Sequence, residues 1–330
     1  MIRKEAKLVK NILDPNIDKQ ATRAGYGQGV VEAGQKNENV VVLCADLTDS
    51  TCNTKFKELF PDRFIQVGVH EQLLAALGAG VSLAGKIPFI ASFAMFCPGR
   101  AWEMVRTNIC LNEANVKIIG THAGVSVGED GATHQAIEDI AIMRPIPNIT
   151  IVVPCDAVEA RKATVAFLDV NGPCYARFAR NKTPILTTEE TSFEIGKATI
   201  LRDGKDVAII ACGSLVYDSL IAAEELAEEG LEVMVVNSPS IKPLDEETTL
   251  LVAQKCGAVV SAEEHQVTGG LGGAISEYLS KVYPTIMGFI GVQNKFGESG
   301  TDKELMAHFG MDIASIKKKV KKVYDKKKRG

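Results

Sequence analysis

Val116-Lys117-Ile118-Ile119-Gly120 runs straight into Thr121-His122-Ala123-Gly124-Val125-Ser126-Val127-Gly128-Glu129-Asp130-Gly131-Ala132-Thr133-His134-Gln135. The first five residues read as a buried strand. The next fifteen read as the loop at its carboxyl end, where open α/β sheets place their ligand crevices and where small residues let backbone approach a substrate. Two of the five histidines and two carboxylates share this segment. A solvated turn accounts for Glu129-Asp130-Gly131 alone, but it has no need of paired imidazoles. Proton transfer and the recognition of hydroxyls or phosphate use imidazole and carboxylate together.

Outward from this stretch, apolar and β-branched runs at 40–44, 64–69, 88–93, 149–153 and 175–178 alternate with longer helical patterns. Continuous apolar strands of this kind belong to parallel sheets covered on both faces. Helices are expected at 22–35 and 73–83. After a polar stretch at 181–194 the pattern resumes, with strands at 207–212, 233–237, 258–262 and 286–292 and a helix at 215–229. The expected fold is α/β: two consecutive domains, 1–185 and 195–330, each a mostly parallel sheet covered by helices. Gly25, Gly27 and Gly29 imitate a dinucleotide fingerprint, but no strand precedes them. Thr268-Gly269-Gly270-Leu271-Gly272-Gly273 reads either as a phosphate nest or as close backbone packing. Packing is favoured, since no lysine or serine follows to hold a nucleotide.

The 330 residues carry 46% hydrophobic side chains and a net charge of -4. This gives no overall attraction to nucleic acid or to an anionic membrane. The basic end, 317–329, reads as a solvated helix tail. Eight scattered cysteines form no CxxC pair and no cluster with histidine, so no metal site is expected from them. With no secretory pattern and no run long enough to span a bilayer, a reducing cytoplasm is the expected setting.

After the strand at 64–69 comes His70-Glu71-Gln72, opening a helical run. Glu71 reads either as a first-turn acid favouring the helix dipole or as a desolvated carboxyl able to share a proton with a ring nitrogen. Gly68-Val69-His70-Glu71-Gln72 together with Gly128-Glu129-Asp130-Gly131-Ala132-Thr133-His134-Gln135 resembles the pyrimidine-binding half of the transketolase family. The likeness continues in order through Ala21-Thr22-Arg23, Ala45-Asp46-Leu47, the segment 93–96, Ala179-Arg180 and Glu263-Glu264-His265.

The resemblance implies a thiamine-diphosphate-dependent transfer of a two-carbon ketol unit from a ketose phosphate to an aldose phosphate, as in the pentose phosphate pathway. It places Glu71 on N1′ of the aminopyrimidine, Phe93 and Phe96 against that ring, and Asp46 near the cofactor and subunit interface. Core packing is the other reading of both phenylalanines. A third family aromatic falls near Gly99, or at Trp102 if the register slips. Arg23, Ser50, His122 and Arg180 match positions that hold the sugar phosphate, with Arg177 a weaker candidate on the same strand. His134 would assist proton movement at the donor hydroxyls, and His122 joins it in the catalytic set. Asp130 would bond the acceptor's C2 hydroxyl.

The family's diphosphate and magnesium site belongs to a preceding domain, so the Mg2+ ligands are expected on a partner. The chain is accordingly expected to be the C-terminal subunit of a split transketolase, working with a separate N-terminal subunit in a two-plus-two heterotetramer. Three alternatives stay open: a deoxyxylulose phosphate synthase-like chain, a 2-oxo acid dehydrogenase beta-type subunit, and a non-catalytic partner. His122, Asp130 and His134 suit a phosphosugar and have no obvious task in pyruvate decarboxylation.

Overall fold

A computed structural model describes residues 1–329. In chain order the strands are β1 (Lys19–Ala21), β2 (Val40–Cys44), β3 (Phe64–Gln66), β4 (Ile87–Phe93), β5 (Lys117–Thr121), β6 (Thr150–Val152), β7 (Cys174–Arg177) and β8 (Lys182–Pro184). They continue as β9 (Thr199–Arg202), β10 (Val207–Ala211), β11 (Val233–Asn237), β12 (Ser240–Lys242), β13 (Ala258–Gln266) and β14 (Ile286–Val292). Three sheets result: one of seven strands (β12-β6-β7-β5-β4-β2-β3), one of five (β14-β13-β10-β11-β9), and a two-stranded antiparallel ribbon of β1 and β8. Within the two large sheets all pairings are parallel except at two edges, where β12 meets β6 and β9 meets β11. This is the α/β class that the apolar runs imply.

Alternation along the strands decides what each face buries. In β10, Val207, Ile209 and Ala211 face the core under the helices Leu215–Glu228 and Ile313–Arg329. Ala208 and Ile210 face the other way, into a core continuous with Ile90 and Ile118 of the seven-stranded sheet. The two units therefore share one apolar interior. Two chain segments cross between them. β12, although it follows β11, pairs with β6 of the first sheet. Near the N-terminus, Ile2 bridges to Arg202, and Ala6 and Ile12 join the second unit's core.

On the opposite face of the first sheet, the helix Thr22–Lys36 lies against the helix Ala157–Ala166. Its glycines make this possible. A Cβ on Gly25 would overlap the Ala157 carbonyl oxygen, and one on Gly29 would come within 2.7 Å of the Arg161 carbonyl oxygen. Gly25 and Gly29 thus serve a close helix crossing, whereas a Cβ on Gly27 would meet Cys52. Among the described residues no helix is long and apolar enough to cross a membrane.

Gly25 sets two effects against each other. Helix propensity favours alanine by about 1 kcal/mol, whereas intrusion into packed backbone costs about 1–3 kcal/mol. The neighbour is a carbonyl that cannot rotate away, so Gly25→Ala is expected to lower the urea unfolding midpoint. A raised midpoint would show that the two helices can separate freely.

Candidate active site

β4 and β5 are adjacent and parallel, and their carboxyl ends deliver Phe93 and His122 to one place. His122 has a left-handed backbone (φ 56), and its ring stacks on Phe93 with centroids 3.8 Å apart. Its Nδ1 lies 3.0 Å from Thr121 Oγ1 and its Nε2 3.4 Å from Arg23 Nη1. A guanidinium can only donate, so Nε2 accepts and the imidazole is neutral. Burial, reinforced by the charges of Arg23 and Arg180 and by His134, pushes its pKa down from 6.5 to about 3.

Arg23, in the first turn of its helix, donates to the Ser50 carbonyl oxygen at 2.6 Å, and its Nε is buried without a partner. Arg180, beyond β7, donates to the Val127 carbonyl oxygen at 2.7 Å. Both arginines line one cleft of about 990 Å³ beside Lys19, Lys182 and Glu129. Ser50 meets Arg23 through its carbonyl rather than its hydroxyl.

Glu71 opens the helix Glu71–Leu83 and is 1% exposed. Arg100 Nη1 reaches its Oε2 at 2.9 Å, and Ser92 Oγ lies 3.5 Å from Oε1. The Arg100 guanidinium lies over the Phe96 ring, 4.7 Å from its centroid. Phe96 meets His134 edge-on at 5.3 Å and Phe93 at 6.3 Å. A run of guanidinium and ring contacts thus leads from Glu71 through Arg100, Phe96, Phe93 and His122 to Arg23. Asp46 and Asp130 stand apart from it, exposed on the loops after β2 and β5. Trp102 turns away and donates to the Ile142 carbonyl oxygen, while Gly99 lines the cavity beside Phe96 and His134.

The loop after β5 is fastened by the second unit. Glu264 Oε1 accepts from Ser126 N at 2.6 Å and Oε2 from Ser214 Oγ at 3.0 Å. Its carboxylate fills the space where a Cβ on Gly124 would stand. Gln135 Nε2 donates to the carbonyls of Val125, Gly128 and Glu298. Arg177 does not join the substrate set. It is buried, with Nε on Asp139 Oδ2 at 2.8 Å and Nη2 on the carbonyls of Ala136 and Glu264. β7 ends at Arg177, so strand alternation does not carry on to Arg180. The glycine stretch at 268–273 is occupied from within. Glu263 accepts from Leu271 N and Gly272 N at the start of the helix Leu271–Val282, which is the packing reading.

Sequence reasoning passed over Arg100, Gln135 and Glu264 as functional groups. Gln135 and Glu264 lay inside quoted motifs without a role, and no pattern singled out Arg100. Among the described residues no group of three or more His, Cys, Asp and Glu could hold a metal ion.

The parallel sheet, with a buried glutamate at a strand-to-helix junction beside an aromatic-walled cavity, defines a pyrimidine-binding unit of the thiamine diphosphate enzymes. Family models describe the parts: "Transketolase, pyrimidine binding domain" matches residues 18–185, and "Transketolase, C-terminal domain" matches 196–316. The chain belongs to the transketolase family. It is 44% identical over 301 residues to a putative transketolase C-terminal section of Methanocaldococcus jannaschii, covering 90% of this chain and 94% of that protein. It is 38% identical to the 6-deoxy-6-sulfo-D-fructose transketolase subunit SqwH of a Clostridium species, covering 92% and 95% respectively. A solved split gene transketolase, described as an inactive beta4 tetramer, superposes with a TM-score of 0.87 at 43% identity, covering 92% of this chain and 98% of that one.

Two expectations follow. The unfolded chain binds the His122 proton first, so this residue's contribution to stability is full above pH 6.5 and falls as pH drops from there towards 3. In NMR titration the His122 ring signals should stay constant as pH passes down through 6.5; a midpoint there would remove the neutral assignment. Glu264→Ala removes both acceptor oxygens and leaves the Ser126 N–H without its partner, so amide exchange around Ser126 should accelerate about tenfold or more. Unchanged protection would show that the carboxylate does not hold the loop.

Proposed function

We propose that this chain is the C-terminal subunit of a two-chain transketolase, moving a two-carbon ketol unit from a ketose phosphate to an aldose phosphate. One observation carries the reading: a single run of contacts joins the buried Glu71 to the cleft of Arg23 and Arg180. A cofactor pocket and an anion site are thereby set side by side. Arg23 and Arg180, both lining this cleft, are guanidinium donors suited to an anionic substrate oxygen.

The residues fit an aminopyrimidine, with a carboxylate at the floor and an aromatic face beside it. Thiamine diphosphate, when bound, supplies the electron sink for the transferred unit. Glu71 holds and moves a proton at the ring nitrogen N1′, and Phe96, with Phe93 behind it, packs against the ring. Asp46 belongs to the cofactor and subunit boundary. His134 moves protons at the donor hydroxyls. His122, neutral and fixed by Thr121, Arg23 and Phe93, orients the sugar rather than neutralising phosphate. Arg23, Arg180 and Ser50 take the phosphate, and Asp130 takes the acceptor hydroxyl.

The diphosphate and Mg2+ are held by a separate N-terminal subunit in a two-plus-two assembly. Relatives that are themselves subunits or sections, matched over nearly their whole length, support a two-chain enzyme. Eight unpaired thiols, seven of them buried, suit a cytoplasmic setting. The relative named for a sulfo-sugar makes the donor's terminal anion the open variable of substrate choice.

The test is two-carbon transfer from xylulose 5-phosphate to ribose 5-phosphate with thiamine diphosphate and Mg2+. Turnover is expected only when the chain is assembled with its N-terminal partner, and Glu71→Ala should lower kcat by about 100-fold or more. Full turnover by the Glu71→Ala complex would overturn the assignment. Transfer from 6-deoxy-6-sulfofructose alone would keep the chemistry and change the donor.

A further inference from the structure

We propose that Arg100 occupies the seat of the aminopyrimidine in the cofactor-free chain, and that cofactor binding exchanges one planar group for the other. The proposal rests on the reading of this cavity as the cofactor's. A ring bound there needs a flat face against Phe96 and a polar edge on the Glu71 carboxylate. Arg100 makes both contacts: its guanidinium lies over Phe96 at 4.7 Å and its Nη1 donates to Glu71 Oε2 at 2.9 Å. A guanidinium is planar, stacks on aromatic faces and forms charge-assisted bonds to carboxylates.

The surroundings fit an occupant that leaves. The Glu71 side chain is 2% exposed, whereas that of Arg100 is 47% exposed, so a solvent-facing group covers a buried one. Without Arg100 the carboxylate would keep only Ser92 Oγ at 3.5 Å, too long for a strong bond. A buried carboxylate left in that state is destabilising, so the chain is served by a placeholder until the cofactor arrives. Space exists for the exchange: a Cβ on Gly99 would meet only the Ala94 carbonyl oxygen, at 3.5 Å. The third aromatic expected at Gly99 or Trp102 has no counterpart in the cavity, and Arg100 covers Phe96 in its place.

A placeholder and a permanent positioning group predict opposite signs. If Arg100 leaves, Arg100→Met removes a competitor and destabilises only the cofactor-free state. The variant chain should melt several degrees lower, and Glu71→Gln combined with Arg100→Met should recover most of that loss. In the assembled complex, calorimetry should show the thiamine diphosphate Kd falling about tenfold. Arg100→Lys keeps the charge without the planar stack and should shift Kd in the same direction by less.

An unchanged or weaker Kd for Arg100→Met overturns the proposal, as does a cofactor-bound crystal structure with Arg100 still on Glu71. If Arg100→Met does not fold, the Arg100→Lys affinity decides by the same sign. A wild-type complex that binds no thiamine diphosphate overturns the reading of the site itself, and the placeholder with it.

Discussion

The buried guanidinium of Arg177 is the joint on which the site depends. It ties the end of β7 to Asp139 at the head of the short helix Asp139–Met143, to the Ala136 carbonyl at the end of the active-site loop, and to the Glu264 carbonyl of the second unit. Burying a charge is costly unless it is paired and its donors are used. Here Asp139 also accepts from Tyr175 at 2.6 Å. The loop carrying His122, Asp130 and His134 is therefore held from below by a strand of its own sheet and from the side by a different sheet. Preorganisation of that kind holds the neutral His122 imidazole and the cations around it in place without rearrangement.

Much of the fold was legible because the parallel strands are buried on both faces. Their apolar runs matched β2, β4, β5, β10, β11 and β14 to within one or two residues. The strands that escaped notice are short or polar: the β1 and β8 ribbon, β9 and the crossing strand β12. Edge strands of three or four residues have too little alternation to read. In the site, paired histidines and arginines stood out because their residue types are chemically unusual together. Arg177 misled because its strand ended before the residue it was compared with. Arg100 was illegible because its role comes from Phe96 and Glu71, which only the fold brings beneath it.

Charge in the cleft is arranged around a group that carries none. Arg23 and Arg180 surround His122, and burial adds to their effect in keeping the imidazole neutral. A protonated ring would add a third cation beside two guanidiniums. As a neutral acceptor the ring instead fixes the angle of Arg23, whose Nε is buried without a partner. Stacking on Phe93 sets the plane of that ring, so an apolar contact decides the direction of a polar one.

The crossing strand β12 limits where the polypeptide could be divided. It caps β6, which would otherwise end the seven-stranded sheet with a row of unpaired N–H and C=O groups. A cut in the connection between the two units would strip that cap and open the shared apolar interior, leaving each fragment prone to adhere to others. Pulling the two halves of this chain apart would therefore bare a sheet edge as well as apolar core.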